Sequence, residues 1–363
     1  MIDLKHYVPI LKGKQGEYHA LRELVANVKK CLTPLIEVPA IPWDYDEEQP
    51  DKSLDAHLVG VPAKMQECWG TGDPFFLDVS LCSDGASTAD GLHPAAHLLG
   101  KCRELSLRAV PVIGLGQPQD YVSAVANAVE QDDRGVCIRL GSDDLEDTDD
   151  LNGGLTQLMD DLDVSPSEAD LIVDLGAIPP SSPNLRLLVR QLMQDLPMAS
   201  DWRSLVLAAT AFPANPSDLI DVDTTGEVPR TEWSVWNWLL ARRASIPRMP
   251  TFGDYAIAHT ELTEVDPRLM QMAASIRYTT NEDWVIVRGR SIKKLGWDQT
   301  RTLCQRLHCL PQYCGPTFSW GDGYIEARAQ GNVGPGNAAT WKKVGTNHHL
   351  TFVTNQIANL AGL

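Results

Sequence analysis

Residues 7–38 read YVPILKGKQGEYHALRELVANVKKCLTPLIEV. They hold a short apolar run, a polar turn, an amphipathic stretch and a second apolar run. The two runs, 7–12 and 33–38, are continuous in hydrophobicity, as expected of strands covered on both faces. Residues 17–30 between them carry helical spacing. Parallel neighbours need a crossover, so the segment reads as one β-α-β unit.

The same unit recurs along the chain. Further apolar runs fall at 74–81, 109–115, 135–140, 170–175, 204–210 and 251–257. Amphipathic stretches at 94–105, 118–131, 151–162, 184–196 and 231–244 lie between them, several opening on Pro or Asn, which suit a helix start. Eight strands alternating with helices predict an α/β chain closed as a (β/α)8 TIM-barrel-like fold. The crossover at 39–73 is long and poor in helical signal at its start, which keeps an open doubly wound sheet as the alternative. Its segment IPWDYDEEQPDKS (41–53) reads as a surface loop on the face where barrel enzymes keep their sites.

Beyond residue 260 the pattern changes. Residues 275–279 and 284–288 flank TTNED as an antiparallel hairpin, and a helix is expected at 299–308. The glycine-rich FSWGDGYIEARAQGNVGPGNAATW (318–341) reads as a loop, and 348–363 as a terminal helix. The expected organisation is a barrel over 1–260, with an extension over 261–363 packed on it.

Composition narrows the function. The 363 residues include 43% hydrophobic and 22% charged side chains, ordinary globular usage, with 48 acidic against 31 basic residues and a net charge of -17. That charge disfavours bulk nucleic acid as a ligand. No apolar run approaches the roughly 20 residues of a membrane helix, and the charged N-terminus is unlike a signal peptide, so a cytoplasmic protein is expected. The eight cysteines are scattered, as reduced thiols are. Cys304, Cys309 and Cys314 cluster around His308, but their spacing of five does not match paired zinc ligands. GxxxxGK[ST], GxSxG and HExxH are absent, and GLGQPQ (114–119) lacks the third glycine of a dinucleotide fingerprint.

Charged residues sit late in the strand runs: Lys12 and Lys14, Glu37, Asp78, Arg139, Asp174 and Asp254. In a barrel, late inward positions face the open mouth. One reading is a structural ring in which Lys12, Lys14 and Arg139 neutralise Glu37, Asp78 and Asp174. The other is a pocket in which those carboxylates act as acid and base or hold a divalent cation, while Lys12, Lys14, Arg139 and Arg288 bind an anion. The tail adds Arg277, Tyr278, Arg288, Arg290, Asp322, Trp341, His348 and His349. Adjacent histidines point apart, so one of them at most enters a given site; His349 is the candidate general acid. VIVRGRSIKK (285–294) is either a phosphate contact or a charge-protected edge strand. Trp233, Trp236 and Trp238 read as outer-helix packing.

YVPILKGKQGEYHAL (7–21) and LTPLIEVP (32–39), with GDYAI (253–257), IRYTT (276–280), WVIVRG (284–289) and GTNHH (345–349), resemble the phage-associated Beta protein family over nearly the whole chain. Members occur in bacteriophages, satellites and bacterial genomes, some beside antiphage-defence genes. The resemblance therefore implies a role in phage–host conflict. It places recurrent polar positions at Lys12, Lys14, Glu17, Glu37, Asp78, Asp254, Arg288, Asp322, Trp341 and His349. The expected function is recognition of an anionic, phosphate-containing ligand at the barrel mouth, with metal-assisted phosphoester hydrolysis as the reaction if the protein is an enzyme. The rival expectation is a non-enzymatic acidic inhibitor or sensor that docks on a toxin or phage protein encoded nearby.

Overall fold

The computed structural model describes all residues except 1, 83–84, 86, 146–147, 183, 261–271 and 361–363. In chain order the strands are β1 (Tyr7–Leu11), β2 (Leu35–Glu37), β3 (Trp43–Asp44), β4 (Gln49–Pro50), β5 (Phe75–Asp78), β6 (Ala109–Ile113), β7 (Val136–Leu140), β8 (Ala169–Ala177), β9 (Ser204–Thr210), β10 (Thr225–Pro229), β11 (Thr251–Asp254), β12 (Ala273–Thr279) and β13 (Asp283–Ser291). Eight close into a parallel barrel in the order β1-β11-β9-β8-β7-β6-β5-β2. Because β1 pairs with both β2 and β11, the sheet has no free edge, and the open doubly wound alternative falls.

The helices are α1 (Gln15–Arg22), α2 (Ala26–Lys29), α3 (Leu54–Leu58), α4 (Gly60–Cys68), α5 (Pro94–Glu104), α6 (Gln119–Asp132), α7 (Thr148–Leu162), α8 (Leu185–Asp195), α9 (Thr231–Leu240), α10 (Ile292–Leu295), α11 (Thr300–His308), α12 (Trp320–Gln330) and α13 (Ala338–Ala358). The stretch expected as one helix over 17–30 is two, because Val25 is extended. The crossover at 39–73 holds α3 and α4 after an exposed β3-β4 hairpin.

A side-chain period of two divides the barrel strands. Val8, Ile10, Phe76, Cys137, Ile172 and Val206 fill the interior. Their neighbours Tyr7, Leu11, Phe75, Leu77, Ile138 and Val173 pack outward beneath the helices. Trp233 and Trp236 stack with centroids 5.6 Å apart and meet Phe252 edge-on, the outer-helix packing their spacing implied.

The C-terminal part forms a three-stranded antiparallel sheet, β10-β13-β12. Its third strand, β10, belongs to the connection between β9 and α9, so the sheet crosses the boundary expected at residue 260. One face packs Ile276, Tyr278, Val285 and Val287 against α11, α12 and α13. The other face packs Trp284 and Ile286 against Phe212 and Ile257 on the barrel rim.

The glycine-rich 318–341 is not a loop throughout, since α12 occupies much of it. Ser319 caps α12 by accepting from the Asp322 amide, and a Cβ on Gly321 would lie 2.4 Å from the Val344 carbonyl oxygen. That glycine lets two helices approach closely. The terminal helix α13 begins at Ala338, ten residues before the expected 348.

Candidate functional site

Five charged residues converge at the end of the barrel interior: Lys12, Glu37, Asp78, Arg139 and Asp174. Each follows an interior apolar residue by two positions, which is why all five turn inward. Arg139 is their hub. One Nη1 donates to Glu37 Oε1 and Asp78 Oδ2, both at 2.7 Å, and Nη2 lies 2.6 Å from Asp174 Oδ2. Nη2 also donates to the Tyr255 hydroxyl at 2.7 Å, and that hydroxyl donates to Asp174. Lys12 pairs with the second oxygen of Glu37, with its ammonium 5.0 Å from the Tyr255 ring centre. Burial works against the guanidinium charge, but Asp174, Asp78 and Glu37 outweigh it and hold the Arg139 pKa above its ordinary value.

The outer oxygens are also occupied. Asp78 Oδ1 accepts from the Ser80 amide and hydroxyl, at 3.0 and 2.6 Å, and Asp174 Oδ1 accepts from the Gly176 amide at 2.9 Å. A guanidinium therefore holds the space between the carboxylates where a divalent cation would need to sit, and the three do not fit a metal with Arg139 there. Among the described residues no group of three or more His, Cys, Asp or Glu is arranged to hold a metal ion.

Two residues expected in this layer lie elsewhere. Asp254 shares the outward face of β11 with Phe252, and the inward position falls to Tyr255. Lys14 leaves the strand altogether: β1 ends at Leu11, the chain turns, and Lys14 becomes the exposed N-cap of α1.

The adjacent histidines of α13 reach two different carboxylates, both in fully buried surroundings. His349 Nε2 donates to Asp254 Oδ2 at 3.0 Å, and its Nδ1 accepts from the Thr279 hydroxyl at 2.7 Å. Tyr7 donates to the other Asp254 oxygen. Burial pushes the His349 pKa down against the pull of Asp254, while Asp254, despite burial, is held low chiefly by His349. This buried imidazole–carboxylate contact ties β1, β11, β12 and α13 together. With no exposed surface on His349 or Asp254, substrate has no access to the imidazole as general acid.

His348 Nδ1 donates to Asp322 Oδ2 at 2.8 Å, and Nε2 donates to the Thr279 carbonyl at 2.9 Å. Tyr278 stacks on the His348 ring at 3.8 Å and donates to Asp322 Oδ1 at 2.7 Å. Tyr278 and Asp322 thus belong to the seam inside the C-terminal part.

Arg277 and Arg288 point the other way. Ser275 pairs in register with Arg288, and Arg277 lies two residues beyond Ser275, so all three share the sheet face turned toward the barrel. There they line a cavity of about 570 Å³ together with the 214–217 turn after β9 and Trp297, Trp341 and Lys342. Among the described residues no acidic side chain lines it. Arg277 donates to the Ile257 carbonyl at 2.8 Å and sits 4.8 Å over the Phe212 ring. Arg288 donates to the carbonyls of Ile220 and, at 3.5 Å, Ser217. Neither has a carboxylate partner among the described residues. Burial alone lowers the Arg277 pKa to about 10. Lys342 pairs with the buried Glu17 at 3.1 Å, yet burial lowers its pKa, and Arg277 adds to the fall against Glu17.

Trp297 and Lys342 carry no sequence signal of their own. Helical periodicity would have placed Lys342 beside Trp341 on α13, but the helix start was hidden by the glycine-rich reading. Of the other basic residues in 285–294, Arg290 pairs with Asp223 at 3.0 Å, and Lys293 and Lys294 are exposed on α10.

Fold and site together define a (β/α)8 barrel with an integral C-terminal sheet that roofs one side of its rim over a cation-lined cavity. The chain belongs to the Beta protein family, whose model matches residues 7–355. No curated protein matches it. Among the described residues no helix is long and apolar enough to cross a membrane.

Proposed function

We propose that the protein is a receptor for an anionic, phosphate-containing ligand, acting in phage–host conflict, and that the ligand sits between the barrel rim and the C-terminal sheet. The observation that carries the reading is the pair Arg277 and Arg288, in a cavity with no carboxylate among its described lining residues, in a protein of net charge -17. Guanidinium groups with free donors match phosphate oxygens in both geometry and charge. The family resemblance supports the biological setting, and eight free cysteines suit a reducing cytoplasm.

Metal-assisted phosphoester hydrolysis finds less support. Glu37, Asp78 and Asp174 are held by Arg139, and none of them lines the cavity. The net charge favours a second reading, in which the acidic surface docks on a basic toxin or phage protein; a receptor for a small anion is compatible with such a sensor.

Calorimetric titration of the full chain with inorganic phosphate and pyrophosphate tests the proposal. Binding should weaken with rising salt, fall at least about tenfold in Arg277→Gln or Arg288→Gln, and persist in Asp78→Asn. Binding untouched by both arginine substitutions overturns it.

A further inference from the structure

Resting on that reading, we infer that the anion carries a planar ring: the cavity is built for a nucleoside monophosphate, with the base against Trp297 and the phosphate among Arg277, Arg288 and Lys342. Three observations lead there. The volume, about 570 Å³, lies in the range of small-molecule sites, roughly 300–1,000 Å³, and far exceeds what a lone phosphate fills.

The second observation is the state of the two indoles. Trp341 is engaged: its Nε1–H donates to the Pro335 carbonyl at 3.0 Å, and Tyr324 meets it edge-on at 5.8 Å. Trp297 is partly exposed, lines the same cavity, and has no ring or cation neighbour and no acceptor for its N–H among the described residues. An indole that lines the cavity beside Arg277, Arg288 and Lys342, and that no other ring engages among the described residues, suits a ligand that is aromatic at one end and anionic at the other.

The third is the charge arrangement. Lys342 and Arg277 line the same cavity and repel each other, and an anion between them relieves that repulsion. The first turn of α13, through Ala338, turns the positive end of a 21-residue helix to the same cavity. Asn215 and Ser275 add polar side chains of the kind that hold sugar hydroxyls.

The test titrates the full chain with the four common nucleoside 5′-monophosphates, with adenosine and with inorganic phosphate. At least one monophosphate should bind about tenfold to a hundredfold more tightly than phosphate or adenosine. Trp297→Ala should bring that monophosphate down to the affinity of phosphate and leave phosphate binding unchanged. Trp297→Phe keeps a ring and should restore most of the difference, which guards against a misfolded alanine variant. Arg277→Gln should weaken both ligands. If phosphate binds as tightly as every monophosphate, or Trp297→Ala costs nothing, the ring contact is wrong and the anion site stands. If neither phosphate nor any monophosphate binds, the anion site falls with it.

Discussion

Arg139 and Arg277 both project from strands toward the same end of the molecule, yet their surroundings are opposite. Arg139 reaches three carboxylates and a tyrosine within 2.7 Å. Arg277 has a carbonyl and an aromatic face. The first closes the barrel interior with a self-neutralised layer; the second places positive charge in a cavity with no carboxylate partner among the described residues. An anion site is therefore found by asking which cation lacks a partner, and a density of charge is not enough. Arg230 lies between the two cases. It is fully buried and donates to the Thr280 carbonyl and Gln356 Oε1, both at 2.9 Å, while Nε and Nη2 have no hydrogen-bond partner among the described residues and Glu232 stands 3.8 Å from Nε.

The comparison breaks most readily at Arg139. Arg139→Met strands three buried carboxylates and should cost about 3–5 kcal/mol in urea unfolding. Arg139→Lys should recover only part of that, since an ammonium cannot span the same acceptors. A loss below about 1 kcal/mol for the methionine variant would show that the layer does not depend on its hub.

Next comes the intermediate pair. Burial pushes the Glu232 pKa up from 4.5 to about 8, against the pull of Arg230. The folded state then binds a proton that the unfolded chain has released, so stability declines as pH rises from about 4.5 to 8. Glu232→Gln keeps an acceptor for the Ala211 amide and removes that decline. The expected gain is about 3 kcal/mol at pH 7 and little at pH 4.5. Urea midpoints of the two proteins that run parallel from pH 5 to 8 would contradict it.

A smaller effect is expected where α13 crosses the sheet. A Cβ on Gly345 would lie 2.6 Å from Ile257 Cδ1 and 2.9 Å from the Arg277 carbonyl. Gly345→Ala should cost about 1–3 kcal/mol by overpacking and weaken phosphate binding by shifting Arg277. The smallest effect on stability belongs to Arg277→Gln, within about 1 kcal/mol by urea unfolding, although anion binding should fall at least about tenfold. A large destabilisation there would make Arg277 a structural residue like Arg139.

The sequence by itself determined the eight barrel strands and the inward turn of Lys12, Glu37, Asp78, Arg139 and Asp174. Runs of apolar residues and a period of two are local properties, readable over a few positions. The turn at Lys14 and the single-residue shift that sends Asp254 outward were beyond that resolution, because a strand's end and phase decide them. The helix α12 was hidden because its glycines serve close packing and not a turn. Only the tertiary structure decided which charges meet: Arg139 and Glu37 are 102 positions apart in the chain. It alone brought the β9 turn, β12, β13 and α13 around one cavity, since no pattern along a chain encodes which distant side chains share a space.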